Sequence, residues 1–170
     1  MLIPYAPSPR EDWDLLQWWL KLGELEELEG TFTKTMMMLS AWFNNFQPPA
    51  TKLFLEKDES GITVAFWLEP TGYGSAFCGF WVSPEKRHTK AALRALLEGL
   101  DLAFQTYPVI IAVSKNPVVV SQLGRLGFET GMQVPKAFDG DDAFVLVATR
   151  EEYNRMHRPN GRAGRGEAHG

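Results

Sequence analysis

The chain has 170 residues, of which 45% are apolar and 22% are charged, and its formal net charge is −4. This composition is typical of a soluble globular domain, and it excludes collagen-like, disulfide-stapled and wholly disordered chains. The slightly acidic balance gives no chain-wide reason to expect a nucleic-acid partner.

Two features of the sequence indicate a cytoplasmic protein. Cys78 is the single cysteine, and its place between Phe77 and Phe80 suits a buried thiol in a reducing compartment. Residues 1–10 lack the basic and apolar regions of a signal peptide, and no apolar run reaches the roughly 18 residues of a membrane span. We therefore expect no membrane partner.

The N-terminal part of the chain predicts an edge strand followed by helical segments. The strand falls within residues 2–5, and Ser8 or Asp12 then caps a helix over 13–22. The segment Met36–Phe46 is more apolar than one amphipathic stripe requires. Two interpretations of it stay open, a buried helix or a methionine-rich rim that contacts a substrate or partner.

The middle of the chain predicts an antiparallel meander and a long helix. Apolar segments bounded by turn residues predict strands at Lys52–Lys57, Ile62–Leu68 and Ser75–Val82. Apolar residues then recur at helical spacing from Leu93 to Phe104.

The last third predicts a strand, a helix and a hairpin. The continuous apolar run Val109–Val113 is typical of a strand covered on both faces. Asn116 suits the N-cap of a helix that ends at Gly127. Strands at 128–134 and 143–149 form a candidate hairpin with a long connection.

The expected organisation is a single domain followed by a tail. The domain spans residues 1–150, whereas residues 151–170 are polar and rich in Arg and Gly. A segment of that composition buries too little apolar surface to fold alone, so we expect the tail to be disordered in isolation.

This layout resembles that of the GCN5-related N-acetyltransferase (GNAT) superfamily, and two stretches carry the resemblance. Residues 81–93 look like the family's strand, Val-x-Pro and Arg-Gly-x-Gly-x-Gly/Ala loop at a helix start. Asn116 and the pair Gly127-Phe128 have the separation of the family's Asn-x-x-Ala-x-x-x-Tyr-x-x-x-Gly-Phe element. The resemblance implies an α/β (α+β) fold with a mixed, mostly antiparallel sheet flanked by helices. It also implies a splayed strand pair, Ser75–Val82 with Val109–Val113.

The resemblance further implies a site for acetyl-CoA as co-substrate. A helix start offers free N–H groups and a positive dipole end to a pyrophosphate or another phosphate. His88 and Lys90 stand where two family glycines would be, and only Ala92 fits the third small position. An ordinary exposed helix start, compensated by Glu85 and water, is the alternative interpretation. The residues expected at the cofactor are Val82, Arg87, His88, Thr89, Lys90, Ala91, Ala92 and Asn116.

No catalytic residue is assigned from the sequence. Many family members use a Glu near the fourth strand and a Tyr on the second helix, but the position of that Tyr holds Leu123 here. Glu69 or His88 acting through water, and Ser121 as a hydroxyl, are candidates for proton transfer. The histidines show no metal-ligand spacing, so no metal is expected.

Two functions stay open at this point. The first is an acyl-CoA-dependent N-acyltransferase, in particular an N-acetyltransferase, in which an amine of a small molecule or protein attacks the thioester directly. The second is a non-catalytic GNAT-fold binding or assembly subunit, for example a phage structural protein or virion component. It would form homo-oligomers or bind partners through Met36–Phe46 or the C-terminal tail. The missing glycines and Leu123 favour the second function, and the basic helix start favours the first.

Overall fold

A computed structural model describes residues 1–24, 52–138 and 140–157. The chain divides into two compact units, Met1–Thr106 and Tyr107–Gly170, and each is described by itself. The segment Met36–Phe46 lies outside the described residues, as do residues 158–170 of the predicted tail. The assignment of residues 1–150 to a single domain stays a prediction.

The first unit is an antiparallel meander with helices before and after it. Its elements are β1 (Ile3–Pro4), α1 (Pro9–Glu24), β2 (Lys52–Asp58), β3 (Gly61–Pro70), β4 (Ser75–Val82), a 3-10 turn (Pro84–Lys86) and α2 (Lys90–Thr106). Strands β1 to β4 pair with their chain neighbours, and each pair is antiparallel. The predicted strands are confirmed, and β4 has the predicted bounds.

Helix α1 begins where the sequence places its cap and packs on β2 and β3. The hydroxyl of Ser8 accepts a hydrogen bond from the Glu11 N–H at 3.2 Å, which satisfies one of the free donors of the first turn. Leu15 and Trp18 are buried in a core shared with the strands. The Trp18 ring meets Trp81 edge to face, with centroids 5.5 Å apart.

The buried face of helix α2 combines small residues with Leu100 and Phe104. Ala95, Gly99 and Ala103 are buried at four-residue spacing, whereas Leu93 is 50% exposed. A Cβ added at Gly99 would lie 2.6 Å from the Phe66 ring, so the helix backbone lies directly on β3. The leucine spacing predicts the helix correctly, but the closest contact with the sheet needs the glycine.

The second unit contains the remaining described elements. They are β5 (Val109–Ser114), α3 (Pro117–Arg125), β6 (Glu129–Phe138), β7 (Asp141–Thr149) and α4 (Arg150–His157). Strand β7 pairs antiparallel with both β5 and β6. The predicted cap of α3 is confirmed, because the Asn116 side chain accepts from the Val118 N–H at 2.9 Å.

Three expectations for this unit are wrong. Strand β5 is buried on one face, through Ile110 and Ala112, while Val113 is 42% exposed. The hairpin connection is short, because β6 extends to Phe138. Residues 151–157 are helical rather than disordered, since Tyr153 buries its ring almost completely and so stabilises α4.

The expected α/β (α+β) class with mostly antiparallel strands is confirmed within these units. The splayed pair would join a strand of one unit to a strand of the other, and it stays a prediction. No described helix is both long and apolar enough to cross a membrane.

Replacing Gly99 with alanine should destabilise the protein by about 1–3 kcal/mol, because the new Cβ overlaps the Phe66 ring. The matched control is Gly124→Ala in α3, where nothing lies within 4 Å of the added Cβ and alanine favours the helix by roughly 0.5–1 kcal/mol. Denaturant unfolding measures both. Equal free energies of unfolding for the two variants would contradict this account of helix packing.

Candidate functional site

The loop between β4 and α2 is held to the sheet at its start. The Ser83 N–H donates to the Thr63 carbonyl at 2.9 Å, and the Lys86 N–H donates to the Ser83 carbonyl at the same distance. Pro84 at the first position favours this 3-10 turn because its φ is fixed near the helical value. The loop therefore leaves β4 along a defined path.

Residues Lys86–Thr89 form a type II β-turn. The Thr89 N–H donates to the Lys86 carbonyl at 3.3 Å, Arg87 has φ −59° and ψ 146°, and His88 has φ 62°. The third position of this turn requires a positive φ, which glycine adopts freely and other residues adopt at a cost. His88 therefore has the left-handed backbone conformation that favours glycine. By the resemblance, this is a position where the family has glycine.

Thr89 caps helix α2 and leaves two backbone donors without a helical acceptor. Its hydroxyl donates to the Lys86 carbonyl at 2.6 Å and accepts from the Ala92 N–H at 3.2 Å. The first bond of the helical ladder runs from the Leu93 N–H to the Thr89 carbonyl at 3.3 Å. The N–H groups of Lys90 and Ala91 precede that bond, so they are available to an anion.

Lys86 points away from the helix start and toward the sheet. Its Nζ donates to Thr63 Oγ1 at 2.8 Å and lies 3.1 Å from Asp58 Oδ2 and 3.7 Å from Glu56 Oε1. We call these four residues the Lys86 anchor. The basic cluster predicted at the start of α2 is therefore smaller than the sequence indicates.

The other cations of the loop differ in their surroundings. Arg87 Nε donates to the Val82 carbonyl at 3.1 Å, so this guanidinium holds the end of β4. His88 and Lys90 are exposed, and the first turn of α2 contains no acidic residue. Of the expected cofactor residues, the structure brings Val82 and Arg87 together and places Thr89 to Ala92 in the helix start.

In the second unit, the expected site residues serve the helix itself. Asn116 is exposed, and its side-chain oxygen is used as the α3 cap. Leu123 is 7% exposed, so the position of the family Tyr belongs to the core. Ser121 is exposed. The role of Asn116 at a cofactor stays a prediction.

The side of β3 and β4 that packs on α1 contains a cross-strand pair of glycine and tryptophan that the sequence analysis missed. Gly79 lies opposite Trp67, and a Cβ at Gly79 would be 2.0 Å from the indole ring. Glycine inside an aromatic strand was the available signal, because it marks a close approach of another group. Glu69 is half-buried, lies on the same face as Trp67 and pairs across the strands with Phe77.

Cys78 is poorly suited to act as a nucleophile. Burial of its sulfur raises the pKa of the thiol to about 12, although the residue as a whole is only partly buried. At neutral pH the thiolate needed for attack is almost absent. In the described part of the chain, no group of three His, Cys, Asp or Glu side chains is placed to hold a metal ion.

Several solved structures with this architecture are spermidine N-acetyltransferases. Mutant forms of the spermidine/spermine N-acetyltransferase SpeG from Vibrio cholerae superpose with a TM-score of 0.73 at 15% identity, over 92% of this chain and 97% of that chain. A chimera of that enzyme with hSSAT gives a TM-score of 0.71 at 17% identity, over 89% and 97%. A further SpeG mutant gives 0.70 at 15% identity, over 91% and 99%. The chain has the GNAT fold.

The GNAT fold expected from the sequence is therefore confirmed, although the identity to these neighbours is low. No family profile and no curated protein sequence matches the chain. The fold is shared with the neighbours over nearly the whole length of both chains, whereas the residues are mostly different.

His88→Gly should stabilise the protein by about 0.5–1 kcal/mol. A left-handed residue other than glycine costs roughly 1–2 kcal/mol, and the extra entropy that glycine loses on folding offsets part of that gain. His88→Ala keeps the Cβ and should give no such gain. Thermal or denaturant unfolding compares the two variants, and an alanine variant as stable as the glycine variant would contradict the left-handed assignment.

The Lys86 anchor predicts a specific acid sensitivity. Hydrogen bonds from Ser60, and then the Lys86 ammonium, lower the pKa of Asp58 to about 2. The N-terminal ammonium, and to a lesser extent Lys86, lowers the pKa of Glu56. A lowered folded-state pKa stabilises the protein above the unfolded pKa of about 4, and this contribution disappears as the pH falls through the folded value.

Asp58→Asn should therefore reduce the free energy of unfolding at pH 7 and have little effect near pH 2. The measurement is denaturant unfolding between pH 7 and pH 2. Glu59→Gln is the control, because among the described residues this carboxylate in the same turn makes none of the Asp58 contacts. A constant difference between wild type and Asp58→Asn at every pH would contradict the role given to the Asp58 carboxylate.

Proposed function

We propose that the protein is an acyl-CoA-dependent N-acyltransferase, in particular an N-acetyltransferase, that binds the pyrophosphate of acetyl-CoA at the start of α2. The observation that carries this proposal is the type II turn Lys86–Thr89. It keeps a glycine-type backbone at His88 in front of the open N–H groups of Lys90 and Ala91. Open N–H groups at a helix start bind anions, and backbone strain is concentrated at functional sites.

The likeness of fold supports the proposal. The spermidine N-acetyltransferases match this chain over almost all of their own length. One fold can host several functions, so the activity has to be argued from the site. The acceptor we propose is correspondingly broad, an amine of a small molecule or a protein, and the expected compartment is the cytoplasm.

The residues of the loop have distinct roles in this proposal. The N–H groups of Lys90 and Ala91 bind phosphate oxygens, and the exposed ammonium of Lys90 adds a charge-assisted contact. Arg87 holds the carboxyl end of β4 in place through its bond to the Val82 carbonyl. Asn116 is assigned to the cofactor by the family resemblance alone.

Transfer requires a neutral amine and a leaving thiol. The amine nitrogen attacks the thioester carbonyl carbon and the carbon–sulfur bond breaks. The proton that the amine loses is returned, directly or through water, to the sulfur of coenzyme A. By the family resemblance, a backbone N–H near residues 80–82 stabilises the oxyanion that forms during attack.

Glu69 is the first candidate for the proton acceptor. Its carboxylate is half-buried on the aromatic side of β3 and β4, and no described residue forms an ion pair or hydrogen bond with it. His88 is the other candidate, since its ring is exposed beside the helix start. A half-buried carboxylate on the strand face that also carries Trp67 and Phe77 is also suited to attract a cationic amine.

A binding subunit without catalysis is the second candidate function. Leu123 occupies the position of the family Tyr and is buried, so it supplies no proton to the leaving thiol. The same loop could then bind a phosphorylated ligand without transferring an acyl group. Thiol release in the presence of amines distinguishes this candidate from the enzyme.

Coenzyme A binding is the direct test of the proposed site. Calorimetric titration should show that wild type binds coenzyme A and that Lys90→Glu binds about tenfold more weakly, because the substitution places a negative charge beside the phosphates. Lys52→Glu is the matched control. This lysine donates to Thr106 at the opposite end of α2, about 24 Å along the helix.

Absence of binding by the wild-type protein would overturn the enzyme proposal. Equal weakening by the two charge reversals would show that only the overall charge matters, which contradicts a site at the helix start. Release of free thiol from acetyl-CoA with a panel of amines then tests transfer itself.

A further inference from the structure

We propose that Lys86 is a positioning residue that holds the Arg87–His88 peptide in the orientation needed to bind acyl-CoA. The inference rests on the proposed function and extends it to a residue that points away from the ligand. Lys86 acts through the turn and touches neither cofactor nor substrate.

Lys86 is joined to the sheet by its side chain and to the helix by its carbonyl. Its side chain is 28% exposed, and its Nζ is held by the hydroxyl of Thr63 and by the carboxylates of Asp58 and Glu56. Thr63 is 3% exposed, so this hydroxyl is a fixed acceptor. The Lys86 carbonyl accepts from both the N–H and the hydroxyl of Thr89. The first and last residues of the turn are therefore fixed independently of the two residues between them.

The strain at His88 is the property that the anchor opposes. A positive φ costs a residue other than glycine free energy, and opening of the turn would remove that cost. Opening separates the Lys86 carbonyl from Thr89, so the bonds that fix Lys86 to the sheet hold the turn closed and keep the Arg87–His88 peptide in place.

This arrangement explains how the loop works without the family glycine. With glycine at position 88 the type II turn would carry no penalty, so an anchor would be dispensable. With histidine there, the positive φ costs free energy, and the Lys86 anchor holds the turn closed against that cost. Lys86 therefore compensates for the lost freedom of glycine to adopt a positive φ, and it adds no charge to the phosphate site.

The test is a double-mutant cycle between Lys86→Met and His88→Gly, with coenzyme A as the probe. Lys86→Met should weaken binding about tenfold, because the turn can then open and relieve the strain at His88. His88→Gly is the reference for the second arm of the cycle. In that background Lys86→Met should weaken binding by no more than about threefold, since glycine accepts the type II turn without an anchor.

Two further variants separate positioning from general stability. Lys86→Arg keeps a cation that can reach the same acceptors and should bind as wild type. Lys52→Met removes a single lysine hydrogen bond at the other end of α2 and should leave binding unchanged. In the ligand-free proteins, amide hydrogen exchange over residues 86–92 should rise in Lys86→Met alone and fall again in the double variant.

The outcomes are distinguishable. A wild type that binds coenzyme A while Lys86→Met binds equally well overturns the inference and leaves the proposed function intact. A binding loss in Lys86→Met that His88→Gly does not rescue also overturns it, because a purely structural contact would give additive losses. A wild type that does not bind coenzyme A overturns the proposed function, and with it the role of Lys86 in cofactor binding.

Discussion

The beginning of helix α2 depends on one backbone constraint, the positive φ at His88. That residue closes the turn Lys86–Thr89, and Thr89 in turn caps the helix and sets which N–H groups are left open. The turn can hold this shape because its first residue is tied to β2 and β3 by an ammonium with three oxygen partners. A local strain, a cap and a non-local ion cluster therefore act together to define the candidate site.

Packing of α2 on the sheet gives the turn a fixed base. The buried stripe of small residues lets the helix backbone lie on the Phe66 ring, and Gly99 has no room for a side chain. This close contact sets the position of the helix against the sheet. The geometry at His88 thus follows from the core as well as from the loop, which is why a family resemblance in the loop residues alone describes it incompletely.

Much of the fold could be predicted from the sequence because it is encoded locally. Strand β4, the Asn116 cap and the apolar periodicity of α2 each depend on residues within a few positions of one another. The helix at Tyr153 could not be predicted, because the segment is polar apart from a few residues and the burial of the Tyr153 ring, which stabilises it, occurs only in the folded protein. The inward direction of Lys86 was also invisible, since its acceptors precede it by 23 to 30 residues and are reached only in the folded sheet. The sequence suggests that Lys86 adds a cation to the helix start, whereas the structure places its ammonium against the sheet.

The central claim is that the open N–H groups at the start of α2 bind the phosphates of an acyl-CoA. Amide chemical-shift mapping during titration of the isotope-labelled protein with coenzyme A tests it most directly. The account predicts that the largest shifts fall on His88, Lys90 and Ala91, with small shifts at the opposite end of α2. Shifts that are absent, or that concentrate away from residues 86–92, would contradict it.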